Sequence, residues 1–259
     1  MSVEISKLAL YPYLIFNKEY KYNEHITLHP VKMKHILLFQ HTQEVLTLRK
    51  DSIFHEKEII KMEYLEFIKY ACRNYELAQK YNMMALPVYY DFVLQLMQLV
   101  CGADANISYD SDTLDFYINN ELVTNKMFDD IRKIIILQND IDYDIDKFMN
   151  MDTVMALEKA KEFESKKNKE KADIEDYIDS LVIDLKVTED YVSDLTIRKF
   201  WRYIKRINKR EEYQTCHSAQ MTGLVTFKEP LQHWMTTIEV TDKYENLKSD
   251  EEELRSKIG

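Results

Sequence analysis

Apolar residues recur at helical spacing along most of this chain and alternate only in short stretches. From Val31 to Leu48, the positions Met33, Ile36, Leu37, Phe39 and Val45 mark one face and predict a helix. Over 58–81, Met62, Leu65, Phe67, Ile68, Ala71, Cys72 and Tyr75 predict a longer one. "PVYYDFVLQLMQLVCG" is apolar nearly all round, with Pro87 suited to a first turn and Gly102 to a stop. It predicts a central helix. Two stretches break the rhythm. "YPYLIF" and "EHITLHP", within residues 10–30, are short, aromatic and β-branched, which predicts strands or extended arms. "ISYDSDTLDFYINNELVT" alternates at Leu114, Phe116 and Ile118 and predicts a β-hairpin near 106–123, with "NNE" as its turn. Asn125 then reads as the cap of a helix that buries Met127, Phe128, Ile131, Ile134 and Ile135.

The pattern changes at "QNDIDYDIDKF", residues 138–148, where Asp140, Asp142, Asp144 and Asp146 alternate with other residues. The first three match the ligand spacing of a calcium-binding EF-hand loop. Ile145, however, stands where that loop needs glycine, and Met151 where it needs a bidentate glutamate. The expectation is an extended acidic linker with Ile141, Tyr143 and Ile145 on one side. The charged "ESKKNKEKAD" follows, and a domain boundary is expected between 145 and 170. "IEDYIDSLVIDL" predicts a helix, and Thr188 caps a second short one. A long basic helix over 194–222 is expected next, capped by Asp194, stopped by Gly223 and buried along Ile197, Phe200, Trp201, Ile204 and Ile207. The fold class is therefore mainly α with a small β component, an α+β arrangement. Three parts are expected: an N-terminal α+β domain over 1–150, a C-terminal helical domain over 151–235, and a mobile acidic tail over 236–259.

Composition narrows the chemistry. The 259 residues are 46% hydrophobic and 31% charged, as in soluble globular chains. No run approaches the roughly 20 apolar residues of a membrane span, and "MSVEISKLALYPYLIF" lacks the marks of a signal peptide. Cys72, Cys101 and Cys216 are odd in number and far apart, so inert, half-buried thiols are expected. The chain has only three glycines, Gly102, Gly223 and Gly259, where average usage would give roughly eighteen. Phosphate-cradling loops and the nucleophile elbow need more than this, which excludes the common glycine-rich enzyme motifs. The seven histidines complete no metal-binding motif. No catalytic residue, metal or cofactor is expected.

Charge is uneven around a net −10. Residues 139–194 carry 17 Asp and Glu against 8 Lys and Arg, whereas 195–228 carry 8 Lys and Arg against 2 Glu. The basic helix, with Arg198, Arg202, Arg206 and Lys209 beside Trp201 and Tyr203, could face nucleic acid. It could equally pair with the acidic segment or a neighbouring subunit, and the negative net charge favours that. "HWMTTIEV", after Pro230, reads as an extended arm with Trp234 as a potential anchor. The candidate interaction residues are thus Arg198, Arg202, Arg206, Lys209 and Trp234. Arg210 and His217 also match the R-x6-H spacing of helical HEPN-type ribonucleases, although Glu211 departs from that family's pattern.

"DLTIRKFWRYIKRINKREEYQTCHSAQMTGLVTFKEPLQHWM" resembles the C-terminal part of proteins encoded in the tail gene clusters of tailed bacteriophages of low-GC Gram-positive hosts. "ITLHPVKMKHILLFQ", "MEYLEFI" and "LDFYINNELVTNKMFDDIRKIIILQND" are similar to their earlier segments, in the same order. The resemblance implies a non-enzymatic tail or baseplate protein, either structural or an assembly chaperone, and carries over no catalytic residue. It implies other tail or baseplate proteins as partners, with homo-oligomerisation open and no membrane. It places the protein in the host cytoplasm during assembly or in the virion tail. A HEPN-like ribonuclease or a nucleic-acid-binding module on helix 194–222 stands as the alternative.

Overall fold

The computed structural model of the chain describes residues 5–143, 147–148, 172–223, 226–227, 230–238 and 249–250. It is mainly helical with small antiparallel sheets, as the hydrophobic pattern predicts. The first helix, α1 (Lys7–Phe16), stands where "YPYLIF" predicted an extended segment. Its end signals outweigh its composition. The Ser6 side chain accepts from the Ala9 amide, and Asn17 closes the helix at φ 52°, in the left-handed region. Pro12 lies on the exposed side, where solvent can satisfy the carbonyl that its missing N–H leaves free. "EHITLHP" does contribute a strand: β1 (Tyr20–Lys21) and β2 (Thr27–Leu28) pair antiparallel, with Tyr20 opposite Leu28.

Residues 31–48 and 58–81 are helical but interrupted. A 3-10 turn at Met33–His35 leads into α2 (Ile36–Thr42) and α3 (Glu44–Thr47). Met33, Ile36, Phe39 and Val45 are buried, while Leu37 faces solvent. After α4 (Lys50–Ile53), the expected long helix is divided into α5 (Lys57–Lys61), α6 (Tyr64–Arg73) and α7 (Tyr75–Lys80). One break falls at Met62, whose ψ of 146° leaves the helical region; the other falls at Asn74, whose side chain caps α7 by accepting from the Leu77 amide. α6 buries Leu65, Phe67, Ile68 and Ala71, α7 separately buries Leu77 and Ala78, and Tyr75 is left exposed.

β3 (Ile107–Tyr109), β4 (Phe116–Ile118) and β5 (Glu121–Leu122) form an antiparallel meander. Asn119 and Asn120, at φ 50° and 68°, make the two-residue turn between β4 and β5 that a right-twisted hairpin prefers. Leu114, Phe116 and Ile118 are buried, as their alternation predicted. The central helix α8 (Tyr89–Cys101) packs on α2, α6, β2 and β3. Its Val93, Leu96, Met97 and Val100 are wholly buried, each contributing roughly 1.5–3 kcal/mol relative to exposure. Gly102 ends it at φ +91°, with the His29 ring 3.6 Å from where a Cβ would sit.

α9 (Asn125–Gln138) is capped one residue earlier than expected. Thr124 has the extended backbone its β-branch favours, and its hydroxyl accepts from the Met127 amide. Phe128 stacks on Tyr64 and meets Phe116 edge-on, both at 6.3 Å, so α6, β4 and α9 share one core.

Downstream, a capping box of Asp173 and Asp176 starts α10 (Ile174–Leu185), and Thr188 caps α11 (Glu189–Asp194) as predicted. The basic helix α12 (Ile197–Met221) is capped by Thr196 rather than Asp194. Asp194 is held elsewhere, 3.0 Å from Lys32 and 3.4 Å from Lys34. Ile197, Phe200 and Ile204 are buried, and Trp201 and Ile207 are half-buried. An antiparallel bridge joins Lys32 to Thr196. The Ile197 amide donates to Val31 and the Met33 amide to Leu195, each at 2.8 Å. The expected boundary at 145–170 lies outside the described residues, except that β6 (Lys147–Phe148) pairs antiparallel with β7 (Ser249–Asp250). Of the tail expected over 236–259, residues 239 onward lie outside them too, apart from β7.

Candidate interaction surface

Much of the basic helix is engaged within the chain. Arg198 is only 6% exposed and donates from Nη1 to the Leu14 carbonyl at 2.9 Å, tying α12 to the end of α1. Burial pushes its pKa down, helped by the neighbouring Arg202 charge. Arg202 itself is half-buried. Lys205 pairs with Asp140 at 3.1 Å, and Arg210 pairs with Asp184. Charge thus partly cancels between the acidic and basic segments. Arg206 donates to the carbonyls of Trp234 and Thr236, and Lys209 reaches the Thr236 hydroxyl at 2.8 Å and the Thr237 carbonyl at 2.7 Å. These two cations clamp the C-terminal arm along α12 through its backbone. Trp234 is half-buried, with its ring tilted on His233 at 5.7 Å; His233 meets Tyr213, which stacks on His217.

Arg206, Lys209 and Trp234 are therefore brought together, Arg202 lies on the same helix, and Arg198 points inward instead. Arg210 and His217 are two turns apart, about 10 Å along the axis, and engage Asp184 and Tyr213 respectively.

The surface that sequence reasoning missed is α1. It seats only Leu10 and Leu14 on the core and leaves Leu8 85%, Phe16 67% and Tyr11 52% exposed, with Tyr13 and Ile15 also bare. The signals that could have revealed it are Ser6 before "KLAL", the Leu10–Leu14 spacing and the closing Asn17.

Burial pushes the Cys101 thiol up to about 12 and raises Cys72, and all three cysteines are half-buried, as inert thiols would be. Of the aspartate ladder, Asp140 sits at φ 56°, and Asp144 and Asp146 lie outside the described residues. Among the described residues no three His, Cys, Asp or Glu are grouped to hold a metal, and no helix is long and apolar enough to cross a membrane.

The segment that contains α10, α11, α12 and the clamped arm has a recognisable counterpart. Residues 166–239 match the YomV second domain. YomV is a phage-encoded protein family, so the match agrees with a phage protein. No curated protein and no solved structure matches the chain.

Proposed function

We propose that this chain is a phage-encoded assembly protein that acts through protein–protein contacts in the tail or baseplate, without a reaction of its own. The bare apolar face of α1 carries the reading. Leu8, Tyr11, Ile15 and Phe16 stand exposed on one short helix, and contiguous apolar surface of this kind marks contact sites rather than ordinary solvent-facing structure. The likeness of 194–235 and the earlier segments to tail-cluster proteins supplies the tail context. The match of 166–239 to a phage-encoded family supports its phage half. The engagement of Lys205, Arg206, Lys209 and Arg210 within the chain supports protein contact over nucleic acid, which would have to displace those partners. Such a protein works in the host cytoplasm during assembly, and in the virion tail if it is retained.

Capture of the tagged chain from producing cells, with mass spectrometry of its partners and of purified particles, tests this. Tail or baseplate proteins among the partners are the expected result. A fixed copy number in particles would identify a structural component, and absence from particles a chaperone. Recovery of RNA, or of no tail protein, would overturn the proposal.

A further inference from the structure

We infer that the bare face of α1 docks on the α10–α11 pair of a second copy of this chain. The inference rests on the reading of the chain as an assembly protein and names the partner of its exposed face. Leu8, Tyr11, Pro12, Ile15 and Phe16 are all exposed and fall at i, i+3, i+4, i+7 and i+8, the spacing by which one helix lies against another. The charge within this helix and its caps has one sign. Residues 5–18 contain Lys7 and Lys18 and no carboxylate. Among the described residues neither lysine has a carboxylate partner; Lys18 lies only over the Phe16 ring, at 5.7 Å. Antiparallel pairing of α1 with another α1 would set Lys7 of each copy toward Lys18 of the other, with Glu19, already beside His29, the one described carboxylate next to them in sequence. The stripe therefore calls for an acidic counterpart.

That counterpart lies on the same chain. Residues 172–194 hold eight Asp and Glu against one Lys. α10 and α11 leave Ile183 76% exposed, with Leu185 and Tyr191 also bare, and Glu175, Asp179, Glu189 and Asp190 exposed on the same two helices. Glu175 and Asp179 have no ion-pair partner among the described residues. An apolar stripe with basic ends thus meets apolar contacts bordered by acids, and the charges set its register. The bare side chains of α1 amount to on the order of 500 Å² per copy, so the contact buries about 1,000 Å², at the low end for a specific interface. Because two different patches meet, the contact closes as a reciprocal pair or ring, or else propagates.

Sedimentation of the purified full chain, with two charge-reversal variants, tests the contact. One variant is Lys7→Glu with Lys18→Glu; the other is Glu175→Lys with Asp179→Lys. All four side chains are exposed, so circular-dichroism melts matching the unaltered chain are expected and exclude unfolding as the cause of any loss. The unaltered chain should self-associate, less so at high salt, and each variant should associate about tenfold or more weakly. An equimolar mixture should regain association, because each variant supplies the intact patch that the other lacks. A chain that stays monomeric, a variant that associates unchanged, or a mixture that stays monomeric overturns the inference. Loss in the α1 variant alone does so as well, since it points to another occupant. A purified chain that fails to self-associate yet captures tail proteins from cells overturns this contact and leaves the assembly role standing.

Discussion

Arg132 is a charged residue held within the core, and nothing in "DDIRKIIIL" marks it as such. It is 3% exposed; its Nε donates to the Leu46 carbonyl at 2.6 Å, and its guanidinium lies 3.5 Å from the centre of the Tyr64 ring. The Tyr64 hydroxyl in turn donates to the Val45 carbonyl at 2.7 Å. Asp129, 3.8 Å away, is too loosely placed to neutralise the charge well, and burial raises its own pKa. A planar, delocalised cation suits this place because it can stack and donate at once. Arg132→Ala should lower the unfolding free energy by about 3 kcal/mol, through the cavity it leaves and the unsatisfied Leu46 carbonyl. Arg132→Lys should recover little, since an ammonium cannot lie flat on Tyr64 while reaching Leu46. Urea denaturation of the two variants checks both.

At the scale of elements, α1 needs help from far along the chain. A ten-residue helix is marginal alone, and its anchors are Leu10, Leu14 and the Arg198 bond to the Leu14 carbonyl. Arg198→Ala should speed amide hydrogen exchange across 7–16 by about tenfold, the loss of a charged hydrogen bond, while Arg202→Ala leaves it unchanged. Equal exchange in both variants would mean that the anchor lies elsewhere. The elements legible in sequence were α8, a long apolar run between Pro87 and Gly102, and two with one apolar face, the Leu114–Phe116–Ile118 alternation and α9. α1 was not, because its short aromatic run with Pro12 reads as extended, and the Ser6 and Asn17 caps that decide it stand outside that run. The breaks at Met62 and Asn74 were hidden for the opposite reason, since the apolar spacing runs on across them.

For the whole molecule, the basic helix and the N-terminal half share a core. Phe200 and Ile204 of α12 belong to the same buried cluster as α8 and α9, and the Lys32–Thr196 bridge closes over it. Both tryptophans, Trp201 and Trp234, report on the C-terminal part, whereas far-UV circular dichroism weighs helices throughout. Thermal unfolding followed by the two probes should coincide within a few degrees, as one cooperative unit requires. Separate transitions would mean that the halves melt independently.

By itself the sequence determined the helical class, the asparagine turn of the hairpin, the Thr188 cap and the stops at Gly102 and Gly223. Each of these depends on neighbours within about a turn of chain, so local pattern suffices. Only the tertiary structure decided which charges were free. Arg198 and Arg206 look alike in "RKFWRYIKR", yet one is buried against α1 and the other clamps the arm. It also decided that α1 shows its apolar face to solvent. Burial and pairing are set by segments up to 184 residues apart, and no local spacing encodes what those segments bring.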